Sequence, residues 1–329
     1  MSAGSARELG VAILGAGFGR IVHLPGFERL AGEGVRVVGV AAHEDDWRAL
    51  ALRDDVHLVS VTTPPFLHRE QSLAALEAGK AALCEKPLAI DGEEATALVA
   101  AAERAGVATL VDFEFREHPA FRRAHTLLAD GAIGDVERVE LSWRLPARAA
   151  QQPSWKDRTE LGGGTLLSLG VHAFDYLDWL VAPAAHVRAS LYAPTEEGRT
   201  ADHGCIGTLE LTNGVEVALD LCSVATEGVG HRLAFTGSRG TLTLRNDEPF
   251  DYLGDFALTV AGRPVELEPR PRDDDGRLAP FTELARRLVR AVRDGGRAEP
   301  SFEAGLRAQR CADAVRESDR TGDRKPVAV

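Results

Sequence analysis

Apolar residues recur in two different rhythms along this chain. Through the first third, short apolar runs alternate with amphipathic stretches. Val11–Gly15, Val35–Ala41, Val56–Val61, Ala81–Cys84 and Val107–Val111 have the length and content of buried strands. Helical spacing predicts helices over Phe18–Leu30, Asp45–Leu52, Leu67–Ala78 and Gly92–Ala105 between them. Alternation of strand and helix predicts a parallel, doubly wound sheet.

After about residue 113 the rhythm changes. Val136–Leu145, Val187–Tyr192, Cys205–Leu211, Val215–Ser223, Leu233–Thr236, Gly240–Leu244 and Phe256–Val260 alternate as strands joined by turns such as Asn213-Gly214. An antiparallel sheet is expected there. Helices are predicted near Phe121–Asp130, over Leu166–Leu180 after the glycine run 162–164, and near Phe281–Asp294 and Phe302–Ser318. The expected fold class is α/β, with one domain over 1–113 and another over 114–329. Asp273-Asp274-Asp275-Gly276 is expected to be a solvated loop.

Charge narrows the partners. The 38 Lys and Arg against 50 Asp and Glu leave a formal charge of −12, and no segment is basic. A nucleic-acid or anionic-membrane surface is therefore not expected. Met1 to Gly10 holds no apolar leader segment, and no run of eighteen apolar residues occurs, so a cytoplasmic location is expected. Four cysteines without CxxC spacing predict reduced structural thiols and no metal site. Lysine is scarce: only Lys80, Lys86, Lys156 and Lys325 occur among the 38 basic residues.

Three constellations carry chemistry. Gly15-Ala-Gly17-Phe18-Gly19-Arg20 follows the first strand and opens a helix. Glycines there permit a tight turn and let backbone N–H groups approach a pyrophosphate at a helix N-terminus; the alternative is a turn that only packs. Thr62-Thr63-Pro64-Pro65 with His68, and Cys84-Glu85-Lys86-Pro87, each end a strand, where open α/β sheets place ligands. Pro87 keeps Lys86 out of the helical region. A lysine at that position can hydrogen-bond a substrate oxygen and stabilise developing charge, or be an exposed surface lysine. In Ser168-Leu-Gly-Val-His172-Ala-Phe-Asp175, helical spacing sets Ser168, His172 and Asp175 on one face, with His172 a general base or a packed core histidine.

In this order, the glycine turn, Thr-Pro-Pro-x-x-x-His, Glu-Lys-Pro and Gly-Gly-Gly…Gly-x-His-x-x-Asp resemble the glucose–fructose oxidoreductase / inositol dehydrogenase / rhizopine-catabolism family of NAD(P)-dependent oxidoreductases. The resemblance covers nearly the whole chain, including Pro300-Ser-Phe-Glu-Ala-Gly-Leu-Arg307. It implies an N-terminal Rossmann domain and a C-terminal α/β domain whose large open antiparallel sheet forms a dimer or tetramer interface. It implies a sugar, cyclitol or polyol substrate. It also implies that Lys86 contacts the reacting oxygen, His172 moves the proton and Asp175 places the substrate. Gly15, Gly17, Phe18, Gly19, Arg20, Thr62, Thr63, Pro64, His68, Glu85 and Lys86 are the expected cofactor residues.

Four departures bear on activity. Arg20 stands where the dinucleotide fingerprint has Gly or Ala, with Gly19 one place early. Ser168 replaces the family's aspartate four residues before His172, and cannot stabilise imidazolium as a carboxylate does. The second strand ends Ala41-Ala42-His43, without the acid that holds a ribose 2′-hydroxyl. The passage from Ala42 to Val56 is about fourteen residues, one βα unit short of the family pattern. A helix of eight residues spans about 12 Å, and passing one strand covers about 10 Å, so the shortened crossover is feasible. Arg20, His43, Arg48 and Arg53 near this region favour NADP slightly over NAD. The readings carried forward are an NAD(P)-dependent dehydrogenase or reductase, a redox-neutral enzyme using the same Lys and His, and a non-catalytic relative.

Overall fold

The computed structural model describes residues 8–42, 45–147, 153–194, 196–248, 253–269 and 276–328. Asp273–Asp275 and His43 lie outside them. The chain divides into two compact units, 1–114 with 277–306, and 115–276 with 307–329. A single boundary after 113 therefore does not describe the molecule: thirty residues near the C-terminus belong to the first unit.

The first unit holds a parallel sheet of β1 (Leu9–Leu14), β2 (Val35–Ala41), β3 (Leu58–Val61), β4 (Ala81–Cys84) and β5 (Thr109–Val111), in the order β2-β1-β3-β4-β5. β3, β4 and β5 are buried along their whole length, as parallel strands covered on both faces must be. The chain passes from β2 over β1 to β3 using only the short helix Trp47–Ala51, whose N-cap Asp46 accepts from Ala49 N–H. One face of the sheet is covered by the returning helix Leu278–Asp294. Its Phe281, Leu284, Ala285, Leu288 and Val289 recur at i, i+3, i+4 and i+7 and pack with Leu9, Val11, Ile13, Val22 and Phe27.

The expected helix Phe18–Leu30 is instead a π turn at Gly19–His23 followed by a short α-helix, Leu24–Glu28. Pro25 supplies the reason. It has no N–H to extend a ladder begun before it, and it sits in the first turn of the new segment.

The second unit holds a nine-stranded sheet of β6 (Val136–Pro146), β7 (Ala184–Leu191), β8 (Gly204–Leu211), β9 (Glu216–Ala225), β10 (Gly230–Gly237), β11 (Gly240–Asn246), β12 (Ala257–Val260), β13 (Arg263–Pro264) and β14 (Lys325–Pro326). Their order is β13-β12-β11-β10-β6-β9-β8-β7-β14. The sheet is not antiparallel throughout, because β6 and β9 run parallel, with Leu141 opposite Leu219. Alternation splits it into two faces. Val139, Leu141, Trp143, Leu219, Leu233 and Leu244 are buried, while Glu140, Ile206, Arg232 and Arg245 on the other face are exposed. All four cysteines are buried free thiols. Among the described residues, no helix is long and apolar enough to cross a membrane.

Candidate active site

In the first unit, the three candidate segments leave the C-terminal ends of β1, β3 and β4, which are adjacent strands in the order β1-β3-β4. Gly15 turns the chain with φ +113°, and its N–H donates to Ala41 O at 2.9 Å. Thr62 closes on this turn: its Oγ1 donates to Leu14 O and Gly15 O at 2.9 and 3.0 Å. The three glycines are not equivalent. A Cβ on Gly15 would lie 2.5 Å from Thr62 Oγ1, and one on Gly19 would lie 2.6 Å from the same oxygen and 2.9 Å from Ile13 Cγ2. At Gly17 a Cβ would meet nothing within 4 Å. Packing therefore requires Gly15 and Gly19 but leaves Gly17 unexplained, and an open, exposed glycine at a helix start is what a pyrophosphate needs for close approach. Gly19 opens the π turn Gly19–His23, whose hydrogen bonds run i→i+5, and Arg20 is exposed to solvent. These residues fit a dinucleotide.

Thr63 Oγ1 donates to Gln71 Oε1 at 2.7 Å, and Pro64 precedes the 3₁₀ turn Pro65–Leu67. The next strand, β4, is followed by Glu85, buried, and Lys86, half-buried, with a cis peptide to Pro87. Glu85 Oε2 accepts the Lys86 backbone N–H at 3.2 Å. Its Oε1 faces His23 Nε2 at 2.9 Å, with Asp112 Oδ2 at 3.5 Å from the same nitrogen and Ser60 Oγ at 2.7 Å from Nδ1. Burial alone would lower the His23 pKa, but its bonds to Asp112 and Glu85 prevail and raise it to about 9. Burial, with Glu85 alongside, pushes Asp112 well above the carboxylate range. The cluster favours a charged His23 against Glu85 and pushes Asp112 toward its neutral acid. His23 Nε2 donates its N–H to Glu85 Oε1, and the ligand atoms of His23, Glu85 and Asp112 all lie within 4.8 Å of one another.

Two expected cofactor residues stand beneath the site instead. His68 is 1% exposed, with both ring nitrogens against backbone carbonyls. Glu85 is committed to His23 and to the Lys86 amide. Of the cations expected near the adenosine, Arg48 pairs with Glu70 at 2.7 Å and Arg53 makes two bonds to Asp55 at 2.8 and 3.0 Å. Asp45, three residues past Ala42, accepts the Ala42 N–H at 2.7 Å.

In the second unit, Leu166–Gly170 forms a π turn and Val171–Leu180 an α-helix. Ser168 is therefore outside the α-helix that carries His172, and its hydroxyl donates to Thr165 O at 3.4 Å. His172 is buried, with its ring edge-on to Phe115 at 5.3 Å. Asp175, expected to place the substrate, is itself held: Arg116 Nε and Nη2 reach its two oxygens at 3.0 and 2.6 Å. Burial pushes the Asp175 pKa up to about 6 against the pull of Arg116. Sequence reasoning missed Arg116, His23, Ser60 and Asp112. Asp112 and Ser60 fall at the ends of predicted strands, where polar residues in apolar runs were the available signal.

The chain matches two models of one oxidoreductase family, an NAD-binding Rossmann fold over residues 33–113 and a C-terminal alpha/beta domain over residues 125–329. It is 31% identical to an uncharacterized oxidoreductase of Synechocystis, over 94% of each chain. It is 32% identical to the 1,5-anhydro-D-fructose reductase of Ensifer adhaerens, over 77% of this chain and 81% of the reductase. A crystal structure of an oxidoreductase domain protein from Kribbella flavida superposes with a TM-score of 0.86 at 28% identity, covering 98% of this chain and 100% of that one. By these matches, the chain is an enzyme of the glucose–fructose oxidoreductase / inositol dehydrogenase / rhizopine-catabolism family of NAD(P)-dependent sugar and polyol oxidoreductases.

Proposed function

We propose that the protein exchanges a hydride between NAD(H) and a C–OH/C=O centre of a sugar, cyclitol or similar polyol. The observation that carries the reading is Gly17, a turn glycine that packing does not require. Gly15, Gly17, Phe18 and Gly19 would hold the pyrophosphate side of the cofactor, with Thr62, Thr63 and Pro64 on the neighbouring turn. The cofactor supplies a hydride donor or acceptor when bound. Lys86 donates a hydrogen bond to the reacting oxygen and stabilises the charge that develops there. His172 moves the hydroxyl proton. Asp175 acts through Arg116 as a positioning residue rather than on substrate.

NAD(H) is proposed over NADP(H) because Arg48 and Arg53 already face carboxylates. A redox-neutral or non-catalytic role is not favoured by relatives with named reductase activity. We also propose that the open sheet face bearing Ile206, 49% exposed, joins copies of the chain. Ile206→Arg is expected to reduce the mass measured by light scattering, and an unchanged mass refutes that contact.

The test is turnover against a panel of sugars, anhydrosugars and cyclitols with NAD⁺ and NADH. Lys86→Met is expected to lower turnover at least a hundredfold while the NADH dissociation constant stays within threefold. Retained turnover in that variant would remove Lys86 from the chemistry.

A further inference from the structure

The ladder between β3 and β4 ends at Val61 opposite Cys84, with one more backbone bond from Glu85 N–H to Val61 O at 2.9 Å. Beyond it the two turns separate, and a side chain takes over. His68 opens the helix His68–Glu77 and is buried. Its Nε2 lies 2.7 Å from Thr63 O, on one turn, and its Nδ1 lies 2.8 Å from Pro87 O, on the other.

We propose that His68 is a positioning residue, holding both carbonyls at once and thereby setting the spacing between the Thr62–Pro64 turn and the Glu85–Pro87 turn that carries Lys86. The proposal rests on the roles given to those turns under the proposed function. Carbonyl oxygens only accept hydrogen bonds, so two simultaneous bonds need two ring N–H groups. Burial is the larger influence and holds the ring's pKa below its ordinary value, against the oxygens of Pro87, Thr63 and Leu88 that favour the second proton, so the second bond is completed only as the ring takes that proton up. Gln71 and Ser72 on its own helix are neutral. No ionisable side chain among the described residues contributes to its titration.

Two isosteric substitutions divide the clamp. The amide nitrogen of Asn falls where Nδ1 lies, and that of Gln where Nε2 lies. His68→Asn therefore keeps the bond to Pro87 O and loses that to Thr63 O; His68→Gln does the reverse. Two readouts follow the two turns. NADH fluorescence titration reports the Thr62–Pro64 side. Reductive methylation with ¹³C-formaldehyde labels the four lysines, and Lys86→Arg assigns the Lys86 signal.

His68→Asn is expected to weaken NADH binding at least fivefold and leave the Lys86 signal in place. His68→Gln is expected to displace the Lys86 signal and keep the NADH constant within twofold. Both variants moving both readouts alike, or neither moving any, overturns the proposal. If neither variant folds, ¹⁵N-histidine spectra of the unaltered protein decide: two protonated, hydrogen-bonded nitrogens on His68 support the clamp, and one unprotonated nitrogen refutes it. Failure of the unaltered protein to bind NADH would instead sink the proposed function, while the Lys86 signal still reports on the bond to Pro87.

Discussion

Gly17→Ala separates a cofactor turn from a turn that merely packs. The added methyl meets nothing within 4 Å, and Gly17 is not among the glycines with positive φ. The fold should therefore accept it, and the lost freedom of the unfolded chain should stabilise the protein by about 0.4–1 kcal/mol. The methyl would occupy the space through which the backbone N–H groups reach a phosphate. Hydrogen bonds to charged groups are worth about 1.5–3 kcal/mol each. Losing one weakens binding by roughly 10- to 150-fold, at about 1.4 kcal/mol per factor of ten. Gly19→Ala is the contrasting variant. Its methyl would press against Thr62 Oγ1 and Ile13 Cγ2, an overpacking that costs about 1–3 kcal/mol. Thermal melts paired with NADH titrations should show Gly17→Ala stable but defective in binding, and Gly19→Ala destabilised. Gly17→Ala binding NADH within twofold of the parent would refute the assignment of this turn to the pyrophosphate.

Arg116→Met strands the buried Asp175 carboxylate and should cost about 3–5 kcal/mol in urea denaturation, with part recovered on adding Asp175→Leu; an equal loss in the double variant would deny the pairing. His23 has a folded pKa raised to about 9 by its carboxylates, so its contribution to stability is complete below its ordinary 6.5 and disappears as pH rises through 9. Denaturation midpoints should fall more steeply from pH 8 to 10 in the parent than in His23→Gln, and parallel slopes would contradict a charged His23. Arg48→Ala and Arg53→Ala should leave the ratio of NADH to NADPH affinity within threefold, since both arginines serve carboxylates; a collapse of NADPH affinity alone would restore the phosphate role.

Local chemistry made much of the fold legible. The runs Val35–Ala41 and Ala81–Cys84 and the helix Gly92–Ala105 carry their boundaries in the sequence, because apolar content, Asp91 as N-cap and Gly106 as C-cap act within a few residues. The shortened Ala42–Val56 passage predicted a crossover over one strand, and the order β2-β1-β3 is that arrangement. What escaped was non-local. Glu85 and His23 are 62 residues apart, and Arg116 and Asp175 are 59 apart, so no spacing rule links them. Glu85 and His68 face inward because buried partners claim them, a competition that motif position does not encode. The parallel pairing of β6 with β9 was hidden likewise, since alternation fixes which face a residue takes but not its strand's neighbour.

The helix Leu278–Asp294 has a consequence for synthesis. Phe281, Leu284, Leu288 and Val289 complete a core begun by Leu9, Val11 and Ile13. When residue 113 leaves the ribosome, the face of the sheet that will receive this helix is still bare. At about 5–20 residues per second, the missing helix follows on the order of ten to thirty seconds later. The nascent Rossmann unit must spend that interval unfinished, with apolar surface open to chaperones or to neighbouring chains. A fragment ending at residue 113 would keep that surface permanently, and should be recovered as aggregate rather than as a small dinucleotide-binding domain.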